Sequence, residues 1–258
     1  MTSPDIFALF HDVAADPRFP VALGIAALSG LVRGFSGFGS ALIYVPLISA
    51  VYSPRLAVPT LLLIDTVCGL PFLFGVLHHV NRREVVTTAV AGCLVLPLGM
   101  LALLWVDPLW LRWFISLLVL LALVSLVSGW RYHGKPTLPA SLAVGAMAGF
   151  GGGAAQIAAP PLLIFWLGGN NPAATVRANI MAYFAIQGTL SIVLYAFNGL
   201  LNAQALIVAL SMGVPFIVAL AAGAYFFHGA SDLLYRRAAY VIIAIAGLIS
   251  LPLFDGLR

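Results

Sequence analysis

Gly30-Leu-Val-Arg-Gly34-Phe-Ser-Gly37-Phe-Gly39-Ser40 stands near the start of the chain, with Pro46 following, and Gly145-Ala-Met-Ala-Gly149-Phe-Gly-Gly152-Gly-Ala-Ala155 stands past its middle, with Pro161 following. An offset of 115 (145 − 30) lays Gly30, Gly34, Phe35, Gly37 and Pro46 on Gly145, Gly149, Phe150, Gly152 and Pro161. Both stretches interrupt apolar sequence. Duplicated, glycine-broken apolar segments in the two halves of a chain are the pattern that marks the binding site of a secondary transporter.

The surrounding composition fits that pattern. Of 258 residues, 62% are hydrophobic and 8% charged, and the mean hydropathy is +1.09. A soluble domain carries about 25% charged residues. The chain therefore reads as all-α and polytopic, because lipid cannot satisfy open backbone groups and a spanning β-barrel would show short alternating strands. The pI of about 9.3 does not indicate nucleic acid. The twelve Lys and Arg are scattered at loops, as membrane orientation requires.

Five apolar segments are expected per half: 20–33, 38–52, 56–77, 85–105 and 109–129, then 138–149, 153–168, 173–197, 203–227 and 233–253. The domain reading is an external N-terminal segment over 1–19, membrane repeat 1 over 20–130, a cytoplasmic linker over 131–137 and membrane repeat 2 over 138–258. The first two segments of each repeat are shorter than the roughly 20 residues of a perpendicular span. Fused, residues 20–52 would extend about 50 Å across a hydrocarbon core about 30 Å thick. The glycines must break the helix, giving either a re-entrant hairpin or two half-helices. Segments 1–19 hold Asp5, Asp12 and Asp16 against Arg18, so no cleaved signal peptide is expected.

Five segments, or three full spans plus a returning hairpin, cross an odd number of times, so the second repeat is expected to be inverted relative to the first. Charge agrees: the loop after the third segment carries Arg82 and Arg83 while its counterpart, 198–204, carries no charge. The loop after the fourth carries Asp107 while its counterpart carries Arg236 and Arg237. With Arg131 and Lys135, the dense positive loops fall on one face, which the positive-inside rule makes cytoplasmic, with both termini outside.

The pattern resembles the sulfite exporter TauE/SafE family of membrane permeases. The resemblance is carried by Gly34-Phe-Ser-Gly-Phe-Gly-Ser40 with Val45-Pro46-Leu47, Ser53-Pro54 and Ala57-Val58 to Thr60, and by Gly149-Phe-Gly-Gly-Gly153, Pro160-Pro161-Leu162, Asn170-Asn-Pro172 and Thr175-Val176. It extends from about Phe19 to Phe254. It implies export of sulfite, sulfonates or related small anions across a bacterial plasma (inner) membrane.

The candidate substrate site follows from the breaks. Helix N-termini expose unpaired N–H groups and a positive dipole end. Half-helices starting near Gly37-Phe38-Gly39-Ser40 and near Gly151-Gly152-Gly153 to Ala155 would aim such ends at one anion, with Ser36, Ser40 and Gln156 as side-chain donors. The same glycines form GxxxG pairs, Gly30/Gly34 and Gly145/Gly149, that let helices touch. Arg33 at the first break offers a guanidinium fork suited to an oxyanion, or snorkels if the break is shallow. Arg177, with Asn179 beside it, is a second candidate cation or a second snorkelling one. Asp65, inside Leu61-Leu-Leu-Ile-Asp-Thr-Val, is the coupling candidate: a proton carrier, or the partner of Arg33 or Arg177.

Other classes find less support. Gly34-Phe-Ser36-Gly37 matches the GxSG of intramembrane serine proteases, but no histidine lies mid-segment to serve Ser36 and the second copy has Gly151 in its place. His11, His78, His79, His133 and His228 read as interfacial. There is no Walker A, HExxH or dinucleotide fingerprint, so no enzyme activity, cofactor or metal is expected. Cys68 and Cys93 read as small buried hydrophobes. The expected partners are a small anion and the lipid bilayer, with no nucleic acid. A homodimer suits so small a transporter, although no residue argues for it. An anion channel of the same fold is the alternative to a carrier.

Overall fold

A computed structural model describes residues 6–36, 39–132, 134, 136–168, 172–226 and 232–253. Among these, all regular structure is helical: α1 (Ile6–Ala15), α2 (Phe19–Ser36), α3 (Ser40–Val51), α4 (Pro54–Val76), α5 (Arg82–Trp105), α6 (Pro108–Val127), α7 (Leu138–Ala155), α8 (Ala159–Gly168), α9 (Ala173–Phe197), α10 (Ala203–Phe226) and α11 (Asp232–Ile249). A 3₁₀ turn at Leu77–His79 joins α4 to α5. Helices α5, α6, α7, α9 and α10 each carry a stretch long and apolar enough to cross a membrane. The ten expected segments are α2 to α11. The short helix α1, within the stretch 1–19, was not anticipated.

Local chemistry sets the helix ends. Pro54, Pro108 and Pro139 occupy the first turns of α4, α6 and α7, where a missing N–H costs nothing. Asn81 caps α5: its side chain accepts from Glu84 N, and its Nδ2 donates to Glu84 Oε1 at 3.0 Å. Asp107 caps α6 by accepting from Leu109 N at 2.8 Å.

Helices α2 and α3 form a hairpin. At its open end Arg18 Nη1 donates to Val51 O at 3.2 Å and the guanidinium lies 4.9 Å from the centre of the Tyr52 ring, so the start of α2 and the end of α3 share one end of the molecule. Helices α7 and α8 form another. There the linker folds back on α8, with Tyr132 N donating to Ile164 O at 3.1 Å and Gly168 packed on the Tyr132 backbone. Of the two alternatives for the glycine-broken segments, the hairpin is the one found.

The two most extensive helix pairs are α5 with α7 and α2 with α10. Hydrocarbon surroundings give apolar helices little hydrophobic reason to associate, so close approach of backbones must supply the attraction. A Cβ at Gly30 would strike Phe216 O, and one at Gly34 would strike Leu220 O and approach Ala224 N at 2.9 Å. In the other pair, a Cβ at Gly149 would strike Gly92 O, and one at Gly153 would strike Leu96 O and approach Met100 N at 3.0 Å. Gly223 on Leu31 O answers Gly99 on Phe150 O. The first hairpin thus packs on the fourth long segment of the other half, and the second hairpin does the converse. The swap holds elsewhere: α4 contacts α10 as α9 contacts α5, and α3 contacts α11 as α8 contacts α6, while α4 and α9 pack on each other.

These contacts correct the register of the duplication. Gly30 and Gly34 correspond to Gly149 and Gly153, an offset of 119 (149 − 30 and 153 − 34) rather than 115. The starts of α3 and α8 (159 − 40) and of α4 and α9 (173 − 54) agree. The correction is one helical turn, and it moves the second break from Gly151–Gly153 to Gln156–Ala158.

Candidate functional site at the two helix breaks

The first break lies between Ser36 and Ser40. Gly37 and Phe38 lie outside the described residues, as does the Ser36 side chain. Gly39, with φ 96°, takes the left-handed conformation that a Cβ disfavours, and it starts α3 with no side chain capping the helix. Ser40, almost fully buried, is the first residue of α3. Arg33, in the last turn of α2, forms an ion pair with Asp65 of α4 through Nη1. The same Nη1 donates to Ser40 Oγ at 3.2 Å, and Ser40 Oγ donates to Asp65 Oδ2 at 3.4 Å. Three elements therefore meet in one polar cluster.

Depth follows from helix length. Asp65 is eleven residues from either end of α4 (65 − 54 and 76 − 65), or about 16 Å along the axis. The cluster is not sealed: 20% of the Arg33 side chain and 28% of the Asp65 side chain remain accessible. Charged groups at such depth face a protein interior or a water-filled path. The described contacts of Arg33 engage only Nη1 among its three nitrogens, leaving the rest of the fork as a platform for an oxyanion. Gly69, a turn beyond Asp65, keeps the wall beside Arg33 Nη2 low, since a Cβ there would come to 3.9 Å.

A second polar contact braces this cluster. Tyr44, one turn after Ser40 and fully buried, donates to Thr60 Oγ1 at 3.1 Å and lies 3.0 Å from Met212 Sδ of α10. It ties α3 to α4 and α10 beside the Ser40–Asp65 contact. Tyr44 was missed in the sequence, although its spacing of four from Ser40 puts both on one face of α3.

The second break is built differently. Gly151, Gly152 and Gly153 lie within α7, buried, and α7 ends at Gln156 with φ 57°, whose N–H bonds to Gly151 O and Gly152 O. The expectation that a half-helix begins at Gly151–Ala155 is therefore corrected: these glycines continue a helix, with Gly152 admitting α9, Gly153 admitting α5 and Gly151 the carbonyl of Ile157. The following helix, α8, carries Pro160 and Pro161 in its first turn and so lacks two of the N–H groups an anion would need. Gln156 is a cap whose Nε2 donates to Gly152 O at 3.2 Å. The buried Tyr195 donates to the next carbonyl, Gly153 O, at 2.6 Å.

In the corrected register the counterpart of Arg33 is Gly152 (33 + 119), and of Ser40, Ala159. The Gln187 side chain, from α9, occupies the space a side chain at Gly152 would need. Gln187 was also missed, although it is a polar residue well inside the apolar run of α9.

Arg177 and Asn179 do not join Arg33. Arg177 is exposed in the second turn of α9, about 6 Å along the axis from its start, far shallower than Asp65. Asn179 is fully buried and its Oδ1 accepts from Asn81 N at 2.8 Å, fastening α9 to the start of α5. Of the sequence-derived candidates, Arg33, Ser40 and Asp65 come together.

Paired hairpins among five helices long and apolar enough to cross a membrane, with an ion pair midway along α4, define a multi-pass membrane protein. Residues 22–249 match the family described as Sulfite exporter TauE/SafE, and the chain belongs to that family. Neither comparison with curated proteins nor comparison with solved structures gives a match.

Proposed function

We propose that the protein is a secondary carrier exporting a small oxyanion, sulfite or an organosulfonate, across a bacterial plasma membrane, and that the anion binds at the first break. The observation that carries this reading is the Arg33–Ser40–Asp65 cluster at mid-helix depth, partly accessible and beside the uncapped start of α3. An anion reaching Arg33 competes with Asp65 for the same cation. Protonation of Asp65 removes the competitor and releases Arg33. Binding of an anion and of a proton are thereby favoured together, so the two would leave in the same direction and export would draw on the outward gradient of the anion.

The reading includes two inverted repeats, 20–130 and 138–258, joined by the linker. The swapped helix contacts and the opposite ends at which the two hairpins open support it. Arg82, Arg83, Arg131, Arg177 and Arg237 cluster toward the end where the linker lies, which supports a cytoplasmic position for that end and external termini. Rocking of one bundle against the other across the α4–α9 contact would alternate access.

Counterflow in proteoliposomes tests the reading. A carrier shows acceleration of labelled sulfite efflux by external unlabelled sulfite, and an open pore does not. Asp65→Asn keeps the shape of the side chain; uphill transport with an unchanged pH profile in that variant would overturn the proton role. A thermal-shift series with sulfite, sulfate, thiosulfate, sulfoacetate, taurine and acetate ranks the substrates, since a ligand stabilises the folded state according to its affinity.

A further inference from the structure

The second break holds a buried, unpartnered acceptor where the first holds a cation. Gln187 is 5% exposed, and its Nε2 sits over Gly152 and donates to Ala148 O at 3.4 Å. That bond fixes the orientation of the amide, because the reverse would set two oxygens together. Its Oε1 is then an enclosed acceptor that meets no donor among the described residues, 3.2 Å from where a Gly152 Cβ would lie. Gln156 reaches the same residue from the other side of the break, its Nε2 donating to Gly152 O at 3.2 Å. The C-terminal end of α7 brings the negative pole of a helix to the same place. Pro160 and Pro161 strip donors from the helix that follows. The basic side chain of the first break has glycine as its counterpart.

We propose that this break binds a small monovalent cation, Na⁺ in the first instance, through Gln187 Oε1, Gln156 Oε1 and the carbonyl oxygens at the end of α7. Unwound backbone and half-helix C-termini are suited to such ions. The ligands are neutral amide and carbonyl oxygens, and no group of three or more His, Cys, Asp or Glu side chains lies together among the described residues, which disfavours a divalent ion that would need carboxylates. The inference goes beyond the anion reading and stands without it. If both hold, the carrier binds charges of opposite sign at its two breaks.

The test uses the full chain in detergent, without sulfur oxyanions. Unfolding temperature is followed as NaCl replaces choline chloride at constant ionic strength. The expected result is a saturable rise of about 3–5 °C at ten times the half-saturating concentration. Gln187→Met should lose the rise, and Gln187→Glu should lower the half-saturating Na⁺ concentration roughly tenfold by adding charge to the ligand set. Equal unfolding temperatures in the two salts, or a rise that persists in Gln187→Met, would overturn the proposal. If Gln187→Met does not fold, an unchanged half-saturation in Gln187→Glu overturns it instead. Arg33→Gln separates the two readings: it should abolish stabilisation by sulfite and keep the response to Na⁺, and loss of both would place the cation elsewhere.

Discussion

The two breaks occupy equivalent places in the fold and carry different polar groups, an ion pair at the first and neutral glutamines at the second. Each follows an 18-residue helix whose glycines press on a partner helix from the other half, and each is followed by a shorter helix. At the first, the chain supplies Arg33, an uncapped helix start and Ser40. At the second, it supplies a notch at Gly152, a helix start interrupted by two prolines, and two glutamine side chains. The helix-packing scaffold is duplicated, while the polar groups at the breaks are not. Packing constrains both copies alike because a Cβ on any of the four paired glycines would collide with backbone. Nothing in packing requires the second break to keep a charge.

The largest expected effect is at the ion pair that only the first break possesses. Arg33→Ala leaves Asp65 without its cation, and Asp65→Ala does the reverse. Breaking a buried pair costs about 3–5 kcal/mol, reduced here by the residual accessibility of both groups. The double variant Arg33→Gln/Asp65→Asn should recover more than half of the larger single loss, while sulfite transport stays abolished. Urea unfolding in mild detergent and flux in proteoliposomes read the two quantities separately. Recovery of transport in the double variant would show that the cluster is a structural pair, and the contrast between the breaks would lose its functional meaning.

Next in size are the glycines the breaks share. Gly34→Ala and Gly153→Ala both drive a methyl into backbone oxygen and should cost about 1–3 kcal/mol each, with nearly equal values. Gly24→Ala and Gly188→Ala, where no heavy atom lies within 4 Å of the added Cβ, should be neutral or stabilising by up to about 1 kcal/mol. Unequal losses at Gly34 and Gly153 would break the equivalence on which the corrected register rests.

That register shows where sequence reading stops. The ten helical segments were legible because apolar runs are a property of composition; residues 173–197 matched α9 at both ends. The duplication was legible too, but not its phase. A helix that packs through glycines repeats its contact face about every four residues, so Gly145, Gly149 and Gly153 offer two alignments one turn apart. The Phe35/Phe150 echo favoured the wrong one. Only the backbone atoms that each glycine touches separate the two. Arg33 and Asp65 were legible as charges out of place in an apolar segment. Their pairing was one of three arrangements the sequence left open, because residues 32 positions apart (65 − 33) meet through a hairpin whose direction the sequence did not give. Gln187 and Tyr44 carry no charge, so their polarity was hidden among apolar neighbours.

A smaller effect is expected at Tyr44. Tyr44→Phe removes the hydrogen bond to Thr60, which still donates to backbone carbonyls of its own helix. The loss should be about 1 kcal/mol in stability. If Tyr44 positions Ser40 against Asp65, the apparent affinity for sulfite falls while the maximal rate is little changed. An unaltered affinity would confine the first break to the three residues already in contact.

The smallest effect lies at the open end of the first hairpin, which has a fastening whose counterpart at the second is made by backbone. Asp16 holds Arg18 by contacts at 2.8 to 3.1 Å, and Arg18 in turn reaches Val51 O and the Tyr52 ring. These hydrogen bonds from Arg18 hold the Asp16 carboxyl below its ordinary value of 3.8. A depressed carboxyl contributes stability that is complete above the unfolded value and is lost as pH falls through the folded one. Wild type should therefore unfold slightly above Asp16→Asn at neutral pH, and the gap should close only on acidification below 3.8. Exposure of the pair and screening by salt keep the gap small, so it should shrink further at 1 M NaCl. The second hairpin, fastened through Tyr132 N and Ile164 O, has no titrating group in that contact and no reason to respond. A gap that persists below the carboxylate range would mean that Asp16 acts through its shape, and the two fastenings would then be alike in kind.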